Sequence, residues 1–151
     1  KYIFGALLII KKDCLEKLNG FDERFGVGSI YGGGEDADIL YRINKLGLKT
    51  VRDPRVFCFH KSFINEYTII GGYKKGYKNA FGTGALLSKQ LFFEKNYKAV
   101  LKILLEFLIS FCAIVYYLIK LDLRMAIHHI VSQFGKMIGS FVFILKSLRI
   151  N

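Results

Sequence analysis

The run from Ile103 to Ile119 constrains this chain more than any other stretch, because it is seventeen residues long with Glu106 as its one charged side chain. It reads as a helix at the short end for crossing a bilayer. Lys95, Lys98 and Lys102 precede it, and Lys120 and Arg124 follow it, so positive charge on both sides blurs any orientation rule. Met125 to Leu145 is also apolar but carries His128, His129, Gln133 and Lys136. That polar content suits a helix lying at a membrane interface or packed against a neighbour. A short turn containing Asp122 makes the two segments a hairpin. A soluble helical pair packed on the rest of the chain is the other reading. His128 and His129 are adjacent, so on a helix they diverge by about 100° and are poorly placed to share a metal.

The remainder is richer in charge. At 151 residues the chain has room for one modest domain, and its formal net charge of +11 calls for an anionic partner. Nucleic acid, acidic lipid headgroups and nucleotide diphosphates all qualify. Cys14, Cys58 and Cys112 are odd in number and lack ligand-type spacing, which points to reduced thiols on the cytosolic side. The chain opens on Lys1 and an apolar run, as expected of a fragment or processed piece. Ile3 to Ile10 has no small-residue cleavage site before Lys11-Lys12-Asp13.

Tyr2 to Ile10 is predicted to be a buried strand, followed by a short helix capped by Asp13 with Glu16 three residues later and ended by Gly20. Next comes Asn19-Gly-Phe-Asp-Glu-Arg-Phe25, a loop with glycines at 26, 28, 32, 33 and 34, and then Glu35-Asp-Ala-Asp-Ile-Leu-Tyr-Arg42. An ordered loop of this composition costs entropy, so a lid that closes over substrate is expected. It lacks the Gly-Lys-Ser/Thr of a P-loop and fails the dinucleotide fingerprint. At about 100° per residue the following helix places Ile39, Leu40, Ile43 and Leu46 on the side of Asp36, and Asp38, Arg42 and Lys45 opposite. Asp36 is therefore expected to face the protein, and Asp38 to face water in a surface pair with Arg42. From position alone, Asp36 is either a helix cap or a general base.

The Gly-Phe-Asp turn followed by Gly-Gly-Glu-Asp-Ala-Asp and Tyr-Arg resembles the C-terminal part of the family 2, nucleotide-sugar-dependent glycosyltransferases. It also resembles the related galactosyltransferase C-terminal segment. The resemblance implies an α/β fold: residues 1–95 as the acceptor-side part of a glycosyltransferase A-type domain, and 96–151 as a hydrophobic, membrane-associated helical tail. It implies Asp36 as the base that deprotonates the acceptor hydroxyl, with Glu35, Gly34 and Gly33 on the substrate. The implied reaction moves sugar, with inversion, from a nucleotide-diphosphate sugar to a glycan or lipid-linked acceptor of the cell envelope. The catalytic part would lie in the cytoplasm. Nucleic acid is not a partner on this reading.

His60 closes a strand-turn-strand expected over Thr50-Val51, Asp53-Pro54 and Val56 to His60. The resemblance implies that it ligates a divalent cation, Mn²⁺ or Mg²⁺, beside the donor diphosphate; a lone hydrogen-bonding histidine is the plainer reading. Asp36-Ala-Asp38 spells the family's metal-binding Asp-x-Asp. Two residues apart on a helix, however, those side chains diverge by about 200° and do not chelate one ion. The family's own Asp-x-Asp would lie upstream in a donor-binding half, so this chain alone is expected to be nearly inactive. Tyr73 to Lys78 and Phe81 to Gly84 interleave aromatics, bases and glycines, as in a membrane-facing segment, a nucleic-acid stacking surface or a solvated basic loop. The competing overall reading is a non-catalytic, basic membrane-binding or scaffold module.

Overall fold

The computed structural model describes residues 7–58 and 68–149. Its order is α1 (Lys12–Lys17), α2 (Glu35–Lys45), α3 (Ile69–Ser88), a π-helical turn (Lys89–Phe93), α4 (Lys98–Ile119) and α5 (Leu123–Leu148). No strand occurs among the described residues, which overturns the α/β, A-type expectation. Leu7–Ile10, Thr50-Val51 and Val56–Cys58 are all irregular, and the rest of the expected strands, His60 included, lies outside the described residues. These stretches carry apolar and β-branched residues, but a strand exists only by pairing with another. Val51 and Phe57 instead stand 81% and 72% exposed.

The first helices form a small unit. α1 ends with Asn19 in the left-handed region (φ 54°), where the Gly20 N–H donates to the Leu15 carbonyl at 2.9 Å and the Asn19 N–H to Glu16 at 3.0 Å. This closure reverses the chain, so that Leu18 packs with Ile39 and Ile43 of α2. Asp13 is in the first turn of α1, whose N-cap is Lys11.

The helical half is built on contact between α3 and α5. Gly76, Ala80 and Gly84 recur every fourth residue on α3, and Gly135 and Gly139 do so on α5. A side chain at Gly84 would collide with the Lys136 carbonyl, and one at Gly139 with the Phe81 carbonyl. The two backbones approach to a distance that only small residues permit, the close-packing pattern of small-xxx-small helix pairs. α4 packs along α5, joined by a three-residue turn in which the Asp122 carboxylate accepts from the Met125 N–H at 3.1 Å. Its charge, Glu106, is turned inward to Lys136 at 2.7 Å, while Leu101, Leu104, Leu108 and Phe111 face outward. Among the described residues α4 is the helix long and apolar enough to cross a membrane by length and composition. Phe25, Tyr31, Ala85, Leu86 and Phe143 form the core that ties the glycine loop to α3 and α5.

Gly139→Ala is expected to destabilise the fold by about 1–3 kcal/mol, because the obstacle is backbone and cannot rotate away. Gly72→Ala, with open space where the methyl would go, is expected to stabilise α3 by about 0.5–1 kcal/mol. Chemical denaturation of the two variants should show opposite shifts in midpoint.

Candidate functional site

The motif region is organised by one ammonium group. Lys89, the first residue of the π-helical turn, places its Nζ 2.9 Å from Asp22 Oδ2 and 2.5 Å from Asp38 Oδ1. The same Nζ is 5.4 Å from the centre of the Phe25 ring. Asp38 uses its other oxygen to accept from Arg42 Nε at 2.8 Å. Arg42 then donates through its two remaining nitrogens to the carbonyls of Leu18 (2.8 Å) and Gly20 (2.9 Å). One helical carboxylate and one arginine thus hold the turn that precedes Asp22. Arg24 completes the arrangement with a two-pronged bond to Asp22, Nε–Oδ1 at 2.9 Å and Nη2–Oδ2 at 2.7 Å.

This corrects the expected orientation of α2. The inward carboxylate is Asp38, fully buried, whereas Asp36 is half-buried. Taking Asp36 as zero, the buried positions Asp38, Ile39 and Ile43 fall at about 200°, 300° and 340°, so Ile39 and Ile43 are buried on the expected side and the stripe extends from there round to Asp38. Apolar periodicity assigns a charged residue to the wet face. Here two cations compensate Asp38, one of them 51 positions distant in sequence, and remove the penalty that would keep it in water.

Glu35 and Asp36 occupy the first turn of α2, with the helix dipole favouring their negative charge. The N-cap is Gly34, at φ 99°, and makes no side-chain cap. Asp36 therefore sits within the first turn, two residues after the N-cap position. Glu35 lies beneath the glycine loop, its Cδ 3.7 Å from where a Gly26 side chain would begin. Gly33 and Gly34 are pressed onto α3: the Gly33 carbonyl abuts Gly82, and Gly34 meets Phe25 and the Gly82 carbonyl. Their close approach to α3 gives both glycines a packing role.

The loop is anchored at both ends. Phe25 and Tyr31 are buried, with ring centroids 5.2 Å apart, and Tyr31 lies 5.4 Å from Phe143 of α5. Ser29 Oγ donates to the Gly26 carbonyl at 2.7 Å and accepts from the Gly32 N–H at 3.2 Å. The tip carries Val27, 96% exposed. Its anchored ends limit any closing movement to residues 26–30.

His60 lies outside the described residues, and among those described no three of His, Cys, Asp and Glu stand together as a metal set. Asp38 is committed to Lys89 and Arg42, so the Asp36-Ala-Asp38 triplet supplies at most one ligand. A cation bound here would need donors from outside the described residues. Sequence reasoning missed Lys89, for which the sequence carries no signal, and Arg24, for which Asp22-Glu-Arg24 carried a short-range one.

Residues 1–68 match a family model described as the N-terminal domain of galactosyltransferase. The match supports a glycosyltransferase. It does not extend to family 2 membership or to a C-terminal location within the domain. No solved structure matches the chain.

Burial pushes the Asp22 carboxyl upward, but the hydrogen bonds from Arg24 and Lys89 outweigh it and hold the group well below the usual carboxylate range. A folded-state value depressed in this way stabilises the protein above the unfolded carboxylate range and loses that contribution as pH falls through the folded value. Stability should therefore decline below about pH 4, with a shallower decline in Asp22→Asn; denaturation midpoints against pH read this directly. Lys89→Met leaves Asp22 and Asp38 without their shared cation. It should cost about 3–5 kcal/mol by the same denaturation measurement.

Proposed function

We propose that this chain carries the acceptor-side acid of a glycosyltransferase that moves a sugar from a nucleotide-diphosphate donor to a hydroxyl of a glycan or lipid-linked acceptor. The observation that supports this most is the division of labour among the carboxylates. Asp22 and Asp38 bind Lys89, Arg24 and Arg42 and so hold α2 in place, while Glu35 and Asp36 lie in its first turn, beside the glycine loop and half-buried.

In this reading the acceptor hydroxyl attacks the anomeric carbon as the bond to the nucleotide diphosphate breaks. Its proton passes to an Asp36 carboxylate oxygen, and the donor's bonding electrons leave with the diphosphate. A single displacement inverts the anomeric centre. Glu35, held under Gly26, accepts hydrogen bonds from neighbouring acceptor hydroxyls. A divalent cation, with His60 among its ligands, would neutralise charge on the leaving diphosphate. The exposed apolar side of α4 supports contact with a membrane, and in this reading the catalytic part lies on the cytoplasmic side. A basic membrane-binding module without catalysis would use the same helices, and it differs by having no use for Asp36.

Asp36→Asn in the full-length protein removes the proton acceptor at nearly constant shape. Turnover of the nucleotide sugar should fall by about 10²–10⁴-fold with donor affinity retained, measured as sugar released or transferred per unit time. Undiminished turnover would remove the base assignment, and the absence of any turnover in the unsubstituted protein would favour the non-catalytic module.

A further inference from the structure

A second polar feature lies between the helices. α3, α4 and α5 diverge around a solvent-open cleft of about 470 Å³. Lys75 of α3 and His128, His129 and Lys136 of α5 line it, with Ser110 from α4 and Asn79 from α3. None of its described lining residues is acidic.

The side chains are held in place. His128 fits against α3 only because residue 76 is glycine, since a methyl there would come 2.6 Å from its Cε1. Tyr73 backs the same ring at 6.3 Å and donates its hydroxyl to the Arg124 carbonyl at 3.1 Å. Tyr117 of α4 stacks on His129, with centroids 5.6 Å apart and planes at 21°. Glu106 engages one side of the Lys136 ammonium at 2.7 Å, and an ammonium carries three donors. The result is a pre-formed group of N–H and O–H donors, with burial and the neighbouring His128 and Lys136 favouring the neutral His129 ring, suited to an oxyanion with several acceptor oxygens.

The surroundings specify the rest of the ligand. Ser110 is flanked on α4 by exposed Phe107, Ile109 and Phe111, so hydrocarbon can lie beside the cleft. At the other side, Asn79 Oδ1 reaches to 4.0 Å from the Gly33 Cβ direction, adjacent to the loop that leads into Glu35 and Asp36.

We propose that this cleft binds the phosphate or diphosphate group of an amphiphile whose hydrocarbon chain runs along α4. Identifying that amphiphile as the sugar acceptor rests on the transferase reading above; the binding itself does not.

The test is co-flotation of the full-length protein with phosphatidylcholine vesicles containing phosphatidic acid, with inorganic pyrophosphate as soluble competitor. The double variant Lys75→Gln/His129→Gln should lose affinity about tenfold, as expected for removing a charge-assisted contact. Lys75→Arg should retain binding, and a wild-type circular dichroism spectrum for each variant excludes misfolding. Lys12→Gln removes the same charge from a lysine on α1 whose side chain is 85% exposed, and it should bind as wild type. Equal losses in Lys12→Gln and the double variant, or no loss in either, would overturn the site. Pyrophosphate binding as tightly as the vesicles, with the same variant sensitivity, would overturn the lipid source and leave a soluble diphosphate. Variant-sensitive binding in a protein that turns over no nucleotide sugar would keep this site while removing the transferase reading.

Discussion

The Lys89 ammonium is the constraint on which the motif region depends. It is almost wholly buried between two carboxylates and over an aromatic face, where an unpaired charge would be costly. Lys89, at the π-helical turn that ends α3, takes its two carboxylate partners from the turn after α1 and the body of α2. Because each of Asp22 and Asp38 also has an arginine, the group forms a closed set of charges, and no member can move without leaving another unsatisfied. The widened helical turn at Lys89–Phe93 places Lys89 at this junction, directly after the helix that packs on α5.

That arrangement links the two halves of the chain through a small number of contacts with different physics. On one side the bond is electrostatic, Lys89 to Asp22 and Asp38. On the other it is steric, with Gly82 admitting the Gly33 carbonyl and Phe143 closing over Tyr31. The start of α2 sits where these meet. Its first-turn acids are therefore held by a scaffold in which both buried carboxylates are paired, and Glu35 and Asp36 are half-buried.

The apolar outer surface of α4 and the polar cleft follow from the same helix packing. α5 spends its glycine face on α3 and its Gln133–Lys136 edge on Glu106 of α4, which leaves α4 with a long apolar outer surface. Close approach of α3 and α5 at Gly84 and Gly139 is compatible with divergence nearer their N-termini. There Lys75, His128 and His129 face a common opening, and the polar residues that interrupt the apolar pattern of α5 find one use together.

Much of the local structure was legible in residue order. α1, α2, α4 and α5, the end of α1 at Gly20, and the carboxylate pair after a glycine loop depend on neighbours within a few positions, whereas α3 forms over Tyr73 to Gly84, where a basic segment or loop was expected. The four-residue spacing of Gly76, Ala80, Gly84 and of Gly135, Gly139 went unread as a close helix pair, because it has that meaning only once both segments are helices in contact. What residue order could not decide was which carboxylate of α2 is buried and whether Val51, Val56 and Phe57 find a strand partner. Both are settled by groups distant in sequence: a cation 51 residues from Asp38 in the first case, and in the second the absence of any paired edge among the described residues. Periodicity measures the average environment of a face, and only the tertiary structure supplies the particular charge or edge that reverses it.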